Sequence, residues 1–196
     1  MEREILVSAD ALETRVALLE AGVVVEAAIE RHGDRSHVGN IYKARVNRVL
    51  PGMQSAFLGI GLDRDAFLHV TDLVRPGRDP EDGDESPPPI ETLLREGDTL
   101  LVQVVKEAIP GKGARVTSGI ALPGRYLVLV PASRHVAISR KIADEEERAR
   151  LKTVVEEVLD GTCGFIVRTA ADGKGEKAIG EDRDYLVSIW RAIEEK

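Results

Sequence analysis

Short apolar runs separated by polar turns open the chain, and this pattern predicts β-strands. The first three runs are residues 5–7, 14–19 and 23–25. Glu20-Ala21-Gly22 separates the last two and has the composition of a hairpin turn. The polar segment 32–36 then breaks the pattern, so we predict a small group of strands within residues 1–35.

Five more strand-like runs follow, at residues 41–49, 56–60, 66–70, 99–105 and 114–120. In the first of them, apolar and polar side chains alternate, as expected for a strand with one buried face. The apolar set is Tyr42, Ala44 and Val46, and the polar set is Lys43, Arg45 and Asn47. Five short strands within about 80 residues are typical of a small barrel of the OB type, which we predict for residues 36–120.

An acidic, proline-rich segment at residues 75–89 interrupts the barrel pattern. Its composition cannot contribute to a packed core and predicts a loop. The spacing of its acidic residues does not match a calcium-binding EF-hand loop.

The last third of the chain mixes strands with helices. Strands are predicted at 126–130 and 165–167. Asp144 is a suitable helix N-cap, with Glu147 at the capping-box position, and Gly161 is placed to end that helix. The helix has an apolar face formed by Leu151, Val154, Val155, Val158 and Leu159. A second helix is predicted after Glu181, with Leu186, Ile189, Trp190 and Ile193 on one face. Residues 121–196 are therefore predicted to be an α/β unit, and the whole chain an α+β protein.

Composition and charge limit the class of protein. The 196 residues are 43% hydrophobic and 31% charged, with a net charge of −7. The charge is unevenly distributed, because residues 103–141 carry seven basic and one acidic side chain, a local charge of +6. Local potential rather than net charge governs phosphate binding, so this basic stretch favours a nucleic-acid partner. The alternative is an uneven surface charge without a function.

A single cysteine, Cys163, excludes a disulfide framework or a cysteine-based zinc site formed by these residues alone, and is predicted to be a buried thiol. The four histidines do not have metal-ligand spacing, and no acidic pair stands out as a magnesium site. No apolar run approaches the roughly 20 residues of a membrane span, and the first residues do not resemble a signal peptide. We therefore expect a cytoplasmic protein.

The predicted barrel contains side chains of the types that bind single-stranded nucleic acid. Phe57 and Phe67 are each within a short strand, and Lys43, Arg45, Lys106 and Lys112 supply positive charge. Bases stack on aromatic rings and lysines contact phosphates. The alternative is that both phenylalanines are simply part of the core.

A second candidate is Arg168-Thr169, at the end of a predicted strand. The guanidinium and the hydroxyl can together bind a terminal phosphate, but the Arg-Thr pair taken alone favours a surface salt bridge. The Gly-Lys pairs at Lys112 and Lys174 lack the remaining residues of a Walker A loop.

Six sequence motifs together resemble the N-terminal half of the RNase E/G family of endoribonucleases. They are Asn40-Ile41-Tyr42-Lys43-Ala44-Arg45-Val46, Ala56-Phe57, Ala66-Phe67-Leu68, Gly124-Arg125-Tyr126-Leu127-Val128-Leu129, Ile138-Ser139-Arg140 and Gly164-Phe165-Ile166-Val167-Arg168-Thr169-Ala170. The resemblance implies strands of an RNase H-like domain at 1–35, an S1 domain (an OB barrel) at 36–120, and a 5′-sensor domain at 121–196.

The resemblance also implies residue roles. Phe57, Phe67 and Lys112 match positions that contact single-stranded RNA. Arg168 and Thr169 match the pair that holds a 5′-monophosphate, with Gly124 and Val128 in the same pocket. Lys141 stands where the family often has an arginine.

The family's catalytic domain, with two Mg²⁺-binding aspartates and a zinc link, comes later than Lys196. The resemblance therefore implies that this chain alone contains no catalytic, magnesium or zinc site and does not cut RNA. An RNA-binding adaptor without a nuclease domain is the alternative, and a metabolic enzyme with an unrelated barrel a third. The strands at 5–29 would lack their RNase H-like partners, so we expect them to be mobile or to form a homo-oligomer contact.

Overall fold

The computed structural model describes residues 2–31, 36–74, 87–158 and 162–196. Two compact units are present, residues 1–37 and residues 38–196. Three predicted features lie outside the described residues: most of the polar break at 32–36, most of the proline-rich segment at 75–89, and the helix end at Gly161. The two boundaries between the three predicted domains remain predictions.

The first unit is a three-stranded antiparallel sheet in the order β1-β2-β3. Its strands are β1 (Arg3–Ala9), β2 (Glu13–Glu20) and β3 (Val23–Arg31). Ala21 and Gly22 form the two-residue turn between β2 and β3, with φ values of 50° and 77°. Two successive positive φ angles match the twist of a hairpin, so the predicted turn is confirmed. Every residue of β1 and β3 is exposed.

The second unit begins with a closed five-stranded barrel in the order β4-β5-β6-β8-β7. Its elements are β4 (Ile41–Leu50), β5 (Ser55–Gly59), β6 (Ala66–His69), α1 (Ile90–Leu93), β7 (Thr99–Lys106) and β8 (Arg115–Thr117). Antiparallel pairing of β4 with β7 closes the barrel, and β6 pairs with β8 in parallel. The predicted OB-type barrel is confirmed.

Period-two alternation along β4 explains how the barrel is filled. Ala44 and Val46 are 0% and 1% exposed, whereas Lys43 and Arg45 project into solvent. The barrel core also contains Leu58, Leu68, Val102 and Val116. Side chains of this kind stabilise the barrel by roughly 1.5–3 kcal/mol each on full burial.

A four-stranded sheet with two helices follows the barrel, in the strand order β11-β12-β10-β9. Its elements are β9 (Leu122–Pro123), β10 (Leu127–Val130), β11 (Val136–Ile138), α2 (Glu145–Val158), β12 (Gly164–Val167) and α3 (Glu176–Glu194). One sheet face, which includes Leu127 and Phe165, packs with Leu151 of α2 and Leu186 of α3. Cys163 is a buried thiol in the same core, as predicted.

The prediction for the second helix was wrong at its start. Helix α3 begins at Glu176, more than one turn before Glu181. Ile179 is fully buried and extends the apolar face one turn toward the N-terminus, and the following Gly180 is tolerated because packing outweighs its low helix propensity. The strands β9 and β11 were not predicted, since each is too short to show a periodic pattern.

Candidate functional site

Phe57 and Phe67 form a cross-strand pair on β5 and β6. Their ring centroids are 6.0 Å apart and the ring planes meet at 65°, an edge-to-face arrangement. Both side chains are half-buried and lie outside the fully buried barrel core. The interpretation of these residues as ordinary core residues is therefore not supported.

The two phenylalanines line a groove of about 830 Å³, here called the barrel groove. Lys106 and Lys112 line the same groove, so four of the sequence-predicted residues are brought together. Arg64, Arg115, Met53 and Ile109 also contribute to it and were not predicted. Met53 and Ile109 are 59% and 57% exposed, and they extend the apolar surface beside the aromatic pair.

A tight loop holds Lys112 at the rim of the barrel groove. Ile109 and Lys112 exchange backbone hydrogen bonds of 3.1 and 2.8 Å, and Gly111 between them has a φ of +86°. Gly113 packs so closely that a Cβ atom would lie 1.8 Å from the carbonyl oxygen of Asp65. The loop therefore requires glycine at two positions for two different reasons.

The charges of the barrel groove are not all available to a ligand. The guanidinium of Arg115 donates to Asp72 at 2.9 Å and forms an ion pair with it at 2.8 Å. This ion pair offsets part of the positive charge of Arg115. Lys106, Lys112 and Arg64 form no ion pair within the part of the chain that the structure describes, so they remain the cations that can contact phosphates.

Lys43 is separated from this group. It lies on β4 opposite Leu101 and lines a different groove, which also includes Leu122 and Lys196. Alternation along β4 correctly predicted its exposure. It did not predict that the barrel directs Lys43 to a different groove from that of the aromatic pair.

The second group of predicted residues lies at one edge of the four-stranded sheet, here called the sheet edge. The parallel strands β11 and β12 end there, and the antiparallel strand β10 begins there. The backbone N–H of Ser139 donates to the carbonyl of Val167 at 2.9 Å, which joins the segments after β11 and β12. As a result, the segments 138–141 and 124–127 lie on the two sides of the segment 168–169, because β12 is between β11 and β10 in the sheet.

Arg168 and Thr169 are both exposed at the sheet edge. The backbone N–H of Arg168 donates to the carbonyl of Tyr126 at 2.8 Å, and the guanidinium donates to the carbonyl of Gly124. Among the described residues Arg168 forms no ion pair, so the surface salt bridge considered from the sequence is not found. Thr169 begins a short 3-10 helix, Thr169–Ala171.

The other predicted residues of this group surround that pair. Val128 is half-buried on β10, opposite Ile166 on β12, which is 41% exposed. Lys141 is exposed just beyond β11. Arg125 follows Gly124 and Arg140 precedes Lys141, and both add exposed positive charge. The guanidinium of Arg125 stacks on the ring of Tyr126, 5.2 Å from its centroid.

The loop after Thr169 is held by Glu147 and Arg150 of α2. Glu147 accepts the backbone N–H of Gly173 at 2.8 Å, and Arg150 donates to the carbonyl of Lys174 at 2.9 Å. The hydrogen bond from Arg150, followed by that from Gly173, lowers the pKa of Glu147 to about 2.

Asp144 caps the helix as predicted, accepting the N–H of Glu146 at 2.9 Å. The predicted capping-box role of Glu147 is wrong, because its carboxylate contacts this loop instead.

Within residues 2–31, 36–74, 87–158 and 162–196, no three His, Cys, Asp or Glu side chains are grouped to hold a metal ion. No helix in those ranges is long and apolar enough to cross a membrane.

Comparison with known proteins gives consistent matches along the chain. The model of the Ribonuclease E/G family matches residues 121–196. The chain is 48% identical over 200 residues to Ribonuclease G of Escherichia coli (strain K12), covering 100% of this chain and 41% of that protein. Ribonuclease G of Haemophilus influenzae is 47% identical, covering 98% of this chain and 40% of the relative. Ribonuclease E of Nostoc sp. is 42% identical over 160 residues, or 81% of this chain and 23% of that protein.

Proposed function

The chain belongs to the ribonuclease E/G family, and on this premise we propose that it binds single-stranded RNA and senses a 5′-monophosphate. The barrel groove contacts the strand, and Arg168 and Thr169 anchor its 5′ end. This activity serves an endoribonuclease that acts in RNA processing and decay.

The observation that carries RNA binding is the grouping of Phe57, Phe67, Lys106 and Lys112 in one groove. An edge-to-face aromatic pair leaves ring surface open to a base, and stacking is worth about 1–3 kcal/mol per base. The lysines supply the positive potential that follows a phosphate backbone. This combination recognises single strands, since the faces of a base inside a duplex are covered by the neighbouring base pairs.

The exposed guanidinium of Arg168 supports 5′-monophosphate sensing. A terminal phosphate carries about −1.5 to −2 charges at neutral pH, whereas a 5′-hydroxyl carries none. Arg168 forms no ion pair with another described residue, so its charge should give a large difference in affinity between the two RNA ends, and the hydroxyl of Thr169 adds a hydrogen bond. Gly124, Val128 and Lys141 complete the proposed pocket.

The chain spans about two fifths of the length of the Ribonuclease G relatives and less of Ribonuclease E of Nostoc sp.. From the family resemblance, we propose that hydrolysis, with its Mg²⁺ and Zn²⁺ requirements, belongs to a part of the family's proteins that these residues do not match. A cytoplasmic location fits a role in RNA decay.

The decisive experiment measures the affinity of a short single-stranded RNA with a 5′-monophosphate and of the same RNA with a 5′-hydroxyl, at one fixed salt concentration. The wild-type chain is expected to prefer the monophosphate, and Arg168→Ala is expected to lose the preference while keeping its affinity for the hydroxyl RNA. Arg134→Ala, beyond the opposite end of β10, is the matched control. Equal affinity of the wild type for both RNAs would contradict 5′ sensing, and no affinity for either would contradict RNA binding.

A further inference from the structure

The turn that leads into β10 is fastened to helix α3 by one carboxylate. Asp182 accepts the backbone N–H groups of three successive residues, Arg125 at 3.0 Å, Tyr126 at 2.8 Å and Leu127 at 2.9 Å. One carboxylate oxygen accepts the first of these hydrogen bonds and the other accepts the remaining two. Hydrogen bonds to an ionised acceptor are stronger than neutral ones, so the attachment is firm.

The same carboxylate explains why residue 124 is glycine. A Cβ atom on Gly124 would lie 2.6 Å from one oxygen of Asp182 and 2.7 Å from the other. Any side chain would therefore push the turn away from α3. The backbone N–H of Gly124 also donates to the carbonyl of Leu127 at 2.8 Å, which closes the turn on itself.

Arg168 depends on the position of this turn. Its guanidinium donates to the carbonyl of Gly124, and its backbone N–H donates to the carbonyl of Tyr126. Both acceptors lie within the segment that Asp182 fixes. A continuous set of hydrogen bonds thus leads from α3 through the turn to the guanidinium.

We propose that Asp182 is a positioning residue of the 5′-phosphate site: it holds the Gly124 carbonyl in place, and that carbonyl orients the Arg168 guanidinium toward a terminal phosphate. This inference rests on the proposed 5′ sensing. Asp182 does not contact the RNA. It fixes the turn before RNA binds, so that no ordering of the arginine is needed when the phosphate arrives.

An electrostatic role for Asp182 predicts the opposite result. If the carboxylate mainly repelled the incoming phosphate, Asp182→Asn would raise the affinity for 5′-monophosphate RNA. In the positioning role, the amide group of asparagine cannot accept hydrogen bonds at both of its terminal atoms, so at least one N–H of the turn loses its acceptor.

The test is a double-mutant cycle on the ratio of the two affinities, for 5′-monophosphate and 5′-hydroxyl RNA. Asp182→Asn is expected to lower this ratio about tenfold, with hydroxyl RNA bound as in the wild type through the barrel groove. Gly124→Ala is expected to do the same in the wild type. Combined with Asp182→Ala, it should add little, because the atoms with which the new Cβ collides are gone.

Glu181→Gln, one residue earlier and exposed on α3, is the matched control and should leave the ratio unchanged. Unchanged affinity for hydroxyl RNA shows that each variant is folded. If Asp182→Ala does not fold, Asp182→Asn is used in its place, and amide hydrogen exchange of residues 125–127 is measured. The positioning role requires these amides to exchange faster in Asp182→Asn than in the wild type.

A wild type with a clear monophosphate preference that Asp182→Asn keeps or increases would overturn the positioning role alone. A wild type without any preference would overturn the proposed 5′ sensing and this role with it. If the losses of monophosphate preference caused by Gly124→Ala and Asp182→Ala add in the double variant, the contact on which the inference depends is also contradicted.

Discussion

Phe57 on β5 lies directly opposite Phe67 on β6, and their rings meet edge to face with centroids 6.0 Å apart. The two rings therefore form one continuous aromatic surface, because they contact each other edge to face and leave ring faces open. We expect Phe57→Ala and Phe67→Ala each to weaken binding of single-stranded RNA by about 1–3 kcal/mol. A filter-binding titration measures the loss. Tyr185→Ala, which removes a 62% exposed aromatic side chain from α3, is the control and should have no effect on binding of 5′-hydroxyl RNA.

The lysines of the barrel groove are expected to account for part of the salt dependence. Lys106→Ala and Lys112→Ala should each reduce the slope of log affinity against log salt by about 0.7, the value for one phosphate contact with a single strand. Lys43→Ala removes the same charge from the other groove and should change the slope less for a short RNA. An equal change for all three variants would indicate that RNA also follows the β4 face.

Glu147 should make stability depend on pH in acid. Its pKa falls from the ordinary value of 4.5 to about 2 in the folded chain, through hydrogen bonds from Arg150 and Gly173. Since the folded-state pKa is the lower one, the stabilisation is full above about pH 4.5 and declines as the pH falls toward 2. Urea unfolding should therefore show a larger difference between wild type and Glu147→Gln at pH 7 than at pH 3. Glu146→Gln, which removes a charge from the same helix turn, provides the comparison, and a difference independent of pH would contradict the role of Glu147.

The loop that carries Lys112 should not tolerate a side chain at Gly113. A methyl group there would lie 1.8 Å from the carbonyl oxygen of Asp65, so Gly113→Ala must displace the loop or β6. Overpacking of this kind costs about 1–3 kcal/mol, and RNA affinity should fall as well. Gly52→Ala places the same methyl group in open space and should leave both the melting temperature and RNA binding nearly unchanged.

The N-terminal sheet should be the least protected of the regular structure. All residues of β1 and β3 are exposed, with Ile5 and Val23 at 67% and 65%, so these strands have little packing to slow their opening. We expect their amides to exchange faster than those of β4 and β5 in a dilute monomer. Protection that rises with protein concentration would indicate pairing with a second copy. Protection equal to that of the barrel in a monomer would contradict the prediction.

The sequence alone determined the elements with strong periodicity and the family. Alternation along β4 predicted buried Ala44 and Val46 and an exposed Lys43, because side chains on successive strand residues point to opposite faces. The six motifs together indicate the ribonuclease E/G family, because they follow one another in a fixed order along the chain, and the last two, at residues 138–140 and 164–170, are the most specific.

Only the tertiary structure decided which of these residues lie together. Periodicity assigns a side chain to a face but does not say which strands become neighbours, so the separation of Lys43 from Lys112 was not predictable. The same limit applies to Asp182, which in sequence is one of several acidic residues on a helix. The three hydrogen bonds behind its proposed role depend on the packing of α3 beside β10, which brings its carboxylate to the backbone of residues 125–127, more than 50 positions earlier in the chain.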